Sequence, residues 1–192
     1  MIYRDSDLFS RVSFDADVAR RVEEARRRLA EDWLGYACLT GEEIINSLLF
    51  DTEIVPLQID IDQNSICRSG DSFKLAVPWC GEPGLWQCFP VIPISGVRGQ
   101  VRPSELHLYE EANSERQASA NLEERLATIR EILDQLRLQA EVYMDALPDL
   151  LQLEVAKAKY MHSRGLLTAT PAFDQRRTSN SRGRPVVLRV VE

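Results

Sequence analysis

The chain has 192 residues, of which 44% are hydrophobic and 28% are charged, and its formal net charge is −7. This hydrophobic content argues against disorder of the whole chain, and the negative charge argues against general binding to nucleic acid or anionic membranes. The length is sufficient for one hydrophobic core, or for one core with an added helical arm.

The N-terminus and the cysteines favour a cytoplasmic protein. Residues 1–14 contain charges where a signal peptide needs an apolar segment. No apolar run approaches the roughly 18 residues of a membrane span. The four cysteines show neither a CxxC pair nor the spacing of a zinc site. We therefore expect a bacterial, cytoplasmic protein with reduced thiols and with no metal or other cofactor.

Two helices are predicted near the start of the chain. Apolar residues recur at steps of three and four along one face of the first helix, over residues 15–34: Val18, Val22, Ala25, Leu29 and Trp33. Thr40 and Glu43 have the spacing of a capping box, which predicts a second helix over residues 41–50.

Alternation with a period of two follows and predicts strands within residues 53–109. Turn residues separate the alternating segments, and Pro90 and Pro93 interrupt one of them. We predict an antiparallel meander of three to four strands. With the helices before and after it, this meander makes an α+β fold, whose globular part covers residues 1–112.

A long heptad-patterned helix is the strongest feature of the sequence. From Leu122 to Leu150, apolar residues are spaced alternately four and three apart. Such a narrow seam fits another helix, either the first helix of the same chain or the same helix of a second chain. Residues 113–165 are thus predicted to be a helical arm that packs back or dimerises. The residues expected to bind the partner are Leu122, Leu126, Ile129, Leu133, Leu136, Tyr143 and Leu147.

Pro148 leaves two arrangements of this arm open. A proline inside a helix removes a hydrogen bond and kinks it, whereas a proline is well tolerated in the first turn of a new helix. The sequence therefore predicts either a kinked helix or a second C-terminal helix, which ends near Gly165.

Residues 166–192 are predicted to be a flexible basic tail with a β-prone end. From Arg164 to the C-terminus there are six arginines and two acidic residues, a net charge of +4. The tail arginines are candidate contacts to phosphates or to an acidic protein: Arg176, Arg177, Arg182 and Arg184.

Few residues suggest catalysis. Asp149, Glu154 and Lys157 are similar to the acidic residues and lysine of metal-dependent nucleases, but Glu154 and Lys157 are three apart instead of two and lie on a predicted helix. We expect a solvated helix face with an ion pair there. The two histidines, His107 and His162, lack a nucleophile or metal ligand at a recognisable spacing, and His107 is expected to be exposed.

Asp60 and Asp62 are two residues apart on a predicted strand, so their side chains share one face. Such a pair can hold a cation, but a wet strand face that resists edge pairing is the interpretation we favour.

Together these patterns favour a non-enzymatic interaction protein, a regulatory or accessory subunit of a larger intracellular assembly that uses the helical seam. Its partner is a second copy in a homo-oligomer or another protein in a hetero-complex. One alternative is a nucleic-acid-associated accessory factor, for instance in a bacterial conflict or DNA-processing system, that uses the arginine-rich tail. A second alternative is an enzyme whose site is built from scattered residues.

Overall fold

The computed structural model of the chain describes residues 6–70, 72–94 and 96–165. These residues form an α+β fold, as predicted, in which an antiparallel sheet curved as a half-barrel lies beside helices.

Three helical segments lie in the first third of the chain. Their bounds are Phe14–Glu31 for α1, Trp33–Tyr36 for α2 and Gly41–Thr52 for α3. Ser13 caps α1, because its hydroxyl accepts a hydrogen bond from the Ala16 N–H at 3.2 Å. The helix ends at Asp32, and α2 is a separate turn. The capping box of α3 is present, with the Thr40 N–H donating to the Glu43 carboxylate at 2.7 Å.

The strands are Ser6–Asp7 (β1), Val12–Ser13 (β2), Gln58–Ile59 (β3), Ser65–Ser69 (β4), Ser72–Cys80 (β5), Cys88–Phe89 (β6), Arg98–Val101 (β7) and Glu105–Glu110 (β8). Among the described residues, four longer strands and two strands of two residues, β1 and β3, make up the main sheet. β1 and β2 lie before the region where strands were predicted. β2 and β6 form a separate parallel pair.

The strand order departs from a simple meander at one point. In the main sheet the order is β1-β7-β8-β5-β3, and β4 also pairs with β5. The chain leaves β5 through a 3-10 turn at Pro83–Gln87 and β6, and it returns as β7 on the far side of β8. This places β8 beside β5, where Leu75 lies opposite Leu108 and Val77 opposite Leu106. All four of these side chains are buried.

One continuous helix, α4, runs from Glu115 to Ser163. At 1.5 Å per residue its 49 residues span about 73 Å. Ser114 caps its start by accepting a hydrogen bond from the Gln117 N–H. Pro148 lies inside the helix and does not end it, so no second C-terminal helix begins there.

The two halves of α4 pack against different layers. In the first half, Arg125 donates to the backbone carbonyl of Tyr109 in β8 at 2.7 Å. In the second half, the Tyr143 hydroxyl donates to the carbonyl of Thr52 at the end of α3, and Arg26 of α1 binds Glu154. Residues from Leu8 to Ala158 form one continuous core. The arm predicted over residues 113–165 therefore packs back on the globular part.

Candidate interaction surface

The heptad seam is buried inside the chain. Its seven predicted partner-binding residues, Leu122, Leu126, Ile129, Leu133, Leu136, Tyr143 and Leu147, are each at most 7% exposed. They contact the sheet in the first half of α4, and α1 and α3 in the second half. The helical partner that the pattern predicts is thus found within the same chain for the second half of the seam, whereas the first half packs on the sheet and not on a helix. These side chains offer no surface to a second molecule.

The opposite face of α4 carries a second row of apolar residues. Successive residues of a helix lie about 100° apart around its axis, so residues 138, 142, 146, 153, 156 and 160 fall on one side, away from the seam. We call this row the outward stripe: Leu138, Val142, Ala146, Leu153, Ala156 and Tyr160. All six residues are exposed, and the larger ones range from 52% for Leu153 to 71% for Val142.

The loop after β6 extends this apolar surface. Gln139 of α4 donates through its side-chain amide to the carbonyl of Pro90 at 3.3 Å, which holds the loop beside the helix. The next two residues, Val91 and Ile92, are 76% and 71% exposed. Leu150 and Met161, at the edge of the stripe, are also exposed. A row of exposed apolar side chains is the usual mark of a surface that another molecule covers.

The charges along the outer side of α4 are separated by position. The acidic residues lie towards its middle: Glu131, Asp134, Glu141, Asp145 and Asp149. Two basic residues, Arg130 and Arg137, lie in the same segment, where Arg137 pairs with Asp134 at 3.6 Å and with Glu141 at 3.8 Å. The other basic residues lie towards the C-terminal end: Lys157, Lys159 and Arg164. A partner that binds along the stripe therefore meets negative charge at one end and positive charge at the other.

Glu154 holds α4 to α1 and is not part of a metal site. Its carboxylate accepts hydrogen bonds from Arg26 at 2.9 and 3.2 Å and from Lys157 at 2.8 Å. The hydrogen bond from Arg26, aided by Lys157 and opposed by partial burial, lowers the pKa of Glu154 to about 2. The expected ion pair with Lys157 is present, but the expectation of a solvated face is wrong for Glu154, whose side chain is 7% exposed.

A second ionic cluster surrounds the buried Arg21 of α1. Its guanidinium donates to Asp17 at 2.8 Å, to the carbonyl of Glu53 at 3.1 Å and to the carboxylate of Glu82. Burial by itself raises the pKa of Asp17, but the hydrogen bonds from Arg20 and Arg21 outweigh it and lower that pKa. The cluster joins α1 to the turns before and after the β3–β5 region. Its contacts are structural.

The two histidines lie in different layers. The prediction that His107 is exposed is wrong: it is only 8% exposed, with Ala76 and Gln100 opposite it on the neighbouring strands and Glu105 and Tyr109 beside it. Its Nε2 lies 2.8 Å from the Glu105 carboxylate. This pairing has a sequence signal, since residues two apart on a strand share a face. His162 packs against Trp33 with the rings tilted by 41° and their centroids 5.4 Å apart.

Asp60 and Asp62 do not form a paired carboxylate site. The Asp60 carboxylate accepts hydrogen bonds from the Asp62 N–H at 3.2 Å and from the Gln63 amide at 2.7 Å, so it shapes the turn after β3. An open groove of about 660 Å³ lies beside this turn and is also lined by Trp79 and Arg130. Within residues 6–70, 72–94 and 96–165, no three His, Cys, Asp or Glu side chains are grouped so that they could hold a metal ion.

The four arginines proposed for phosphate contacts, Arg176, Arg177, Arg182 and Arg184, lie outside the described residues. In the part of the chain that is described, no helix has both the length and the apolar character that a membrane crossing requires. Comparison with protein families, with curated proteins and with solved structures found no match to this chain.

Proposed function

We propose that this chain is a non-enzymatic interaction protein, a regulatory or accessory subunit of a larger assembly, and that it binds its partner through the outward stripe of α4. The observation that carries this proposal is the exposure of Leu138, Val142, Leu153 and Tyr160 on a helix whose other face is already filled. Burying apolar area stabilises a complex by roughly 25 cal/mol per Å² before the costs of association.

The shape of the stripe supports a helical partner. Its apolar residues occupy one line along α4, which Asp149 interrupts, and charged residues lie on either side. A narrow apolar line with charged flanks is the pattern by which amphipathic helices pair. The loop at Val91 and Ile92 widens the surface at one end, which adds area without changing that pattern.

The test is the size of the species that contains the chain in an extract of its native host. We expect the chain to elute from a sizing column well above its own 21.9 kDa. The double substitution Val142→Glu with Leu153→Glu should shift it to the monomer position. Binding would then remove two unpaired carboxylates from water, which costs free energy. Asn64→Glu, at an exposed polar site in the turn before β4 and outside α4, is the control and should not shift it.

We expect the purified variants to remain folded, because both substituted residues are exposed, and thermal unfolding checks this. If the double variant elutes with the unchanged chain at high mass, the stripe is not the binding surface. If the unchanged chain itself elutes as a monomer, the proposal of an assembly subunit is wrong.

A second proposal, a nucleic-acid-associated accessory factor, rests on the sequence alone. The net charge of +4 from Arg164 onward, on a chain of net charge −7, favours contacts to phosphates. Binding to DNA or RNA should then weaken steeply with salt and disappear when the chain is truncated after Ala169. Unchanged affinity after that truncation would exclude the tail as the binding element.

A further inference from the structure

We infer that the partner that covers the outward stripe is a second copy of this chain, bound with its α4 antiparallel to the first. This inference rests on the proposed function, because it names the partner of the same surface. It is carried by the charges that flank the stripe, by their positions along α4, and by the exposed residues that the pairing covers.

The charge separation along α4 matches that of a second α4 in the reverse direction. Residues 130–149 of the helix contain five acidic and two basic residues, a net charge of −3, whereas residues 150–165 contain three basic residues and one acidic residue, a net charge of +2. An antiparallel copy places each basic end beside the acidic segment of its partner. A parallel copy places like charges together, which costs binding energy. The helix is therefore complementary to itself in one orientation only.

The symmetry of such a pair fixes its register. In a two-fold dimer the same surface serves both copies, and residues on the same flank of the two helices face each other. With the two-fold axis near Leu150, Glu141 of one copy is level with Lys159 of the other, and both lie on one flank of the stripe. The pair occurs twice. In the same register, Val142 of each copy lies between Ala156 and Tyr160 of the other.

The same register accounts for the apolar residues beside the stripe. The loop with Val91 and Ile92 is held next to Gln139, and residue 139 of one copy is level with Met161 of the other. Met161 lies on the flank that faces this loop and is 40% exposed. The dimer thus covers these apolar side chains together with the stripe.

Asp149 gives the pairing a distinctive weakness. It lies on the stripe between Ala146 and Leu153, close to the proposed two-fold axis, so the carboxylates of the two copies approach each other. Like charges near the centre of an interface oppose association. The substitution Asp149→Asn should therefore tighten the dimer, whereas an interface elsewhere would leave this substitution without effect.

The test is sedimentation equilibrium of the purified full-length chain over a wide range of concentration. We expect a dimer of twice the chain mass of 21.9 kDa. Glu141→Lys and Lys159→Glu should each weaken dimerisation by about tenfold, because each substitution converts two attractive pairs into two repulsive pairs. The double variant, with both charges exchanged, should restore the affinity. Asp149→Asn should strengthen the dimer.

The outcomes separate this inference from the proposed function. A purified chain that stays monomeric overturns the inference. The proposed function still stands in that case if the chain elutes at high mass from the host extract and Val142→Glu with Leu153→Glu abolishes that elution, because the partner is then a different protein. A dimer that persists in this double variant, or a charge exchange that fails to restore affinity, overturns the antiparallel pairing.

Discussion

Glu154 of α4 forms an ion pair with Arg26 of α1 and so joins the two helices. It accepts hydrogen bonds from Arg26 and Lys157, and its pKa of about 2 lies below the value of 4.5 expected for an unperturbed glutamate. Because the folded state lowers this pKa, the ionised carboxylate stabilises the fold fully above pH 4.5. That stabilisation is lost as the pH falls towards 2.

We therefore expect Glu154→Gln to lower the free energy of unfolding by about 1–2 kcal/mol at pH 7. This value is smaller than the change in pKa alone implies, because Arg26 and Lys157 are half-exposed and solvent screens their charges. Most of this difference should disappear by pH 3. Urea unfolding at the two pH values measures it, with Glu131→Gln on the exposed side of α4 as the control. An equal loss at both pH values would contradict the ionic origin of the effect.

Arg21 and Arg20 are neighbours on α1 that both bind Asp17, but their surroundings differ. The Arg21 side chain is 9% exposed and also binds Glu82 and the Glu53 carbonyl, whereas the Arg20 side chain is 67% exposed. Removing one partner of a buried ionic cluster leaves the other charges without compensation. Arg21→Ala should therefore cost about 3 kcal/mol of unfolding free energy.

Arg20→Ala is the matched control and should cost at most about 1 kcal/mol, as is usual for an exposed ion pair. Chemical denaturation of the two variants at pH 7 gives the comparison. Equal losses would mean that the Arg21 cluster stabilises the fold no more than a surface pair does.

The two faces of α4 should respond differently to truncation of a side chain. Ile129 lies in the seam and is fully buried, whereas Val142 lies in the outward stripe. Ile129→Ala should lower the free energy of unfolding by about 3 kcal/mol, because it leaves a cavity in the core. Val142→Ala should change it by less than about 0.5 kcal/mol when the chain is dilute enough to be monomeric.

Urea unfolding at low and high chain concentration distinguishes the roles of these faces. The loss in Ile129→Ala should be the same at both concentrations, whereas Val142→Ala should matter only at the higher one, where the stripe is covered. A large loss for Val142→Ala in dilute solution would show that the stripe contributes to the core of a single chain.

The pattern of α4 shows how far a sequence predicts such a helix. The 4-3 spacing identified which side chains are buried from Leu122 to Leu147, because a face that packs must be continuous. It did not identify what they pack against, since that depends on residues distant in the sequence. The pattern also predicted Leu150 in the seam, but Leu151 is buried instead. After Leu147 the spacing becomes 4-4-3, closer to the 3.6 residues of a straight helix.

The strands show a similar division. The alternation within β5 and β8 predicted their buried face, but Ala76 and His107 on the other face are buried as well. The position of β8 next to β5 depends on pairing between distant segments. Strands of two residues, such as β1, are too short for any alternation to be visible. The outward stripe could have been found in the sequence, because Leu138, Val142 and Leu153 stand among polar residues. Its significance is visible only once the seam on the other face is known to be filled.

At the scale of the whole molecule, α4 joins the sheet layer to the helix layer, and the buried residues of both layers form one continuous core. Trp33 reports on the helix layer, where it packs against His162, whereas Trp86 is buried beside Phe9 and Trp79 next to the sheet. Because one helix contributes to both environments, neither layer can lose its packing without exposing part of the other. We therefore expect a single cooperative unfolding transition.

Fluorescence of variants that keep tryptophan in only one of the two layers tests this expectation. Trp33→Phe leaves Trp79 and Trp86 as the probes of the sheet layer, and the double substitution Trp79→Phe with Trp86→Phe leaves Trp33 as the probe of the helix layer. In each variant the fluorescence midpoint in urea should coincide with the midpoint of helical circular dichroism, even though the loss of Trp86 lowers overall stability. If the fluorescence midpoint differs from the dichroism midpoint in either variant, the two layers unfold independently. In that case α4 loses its helical structure in one layer while it keeps it in the other.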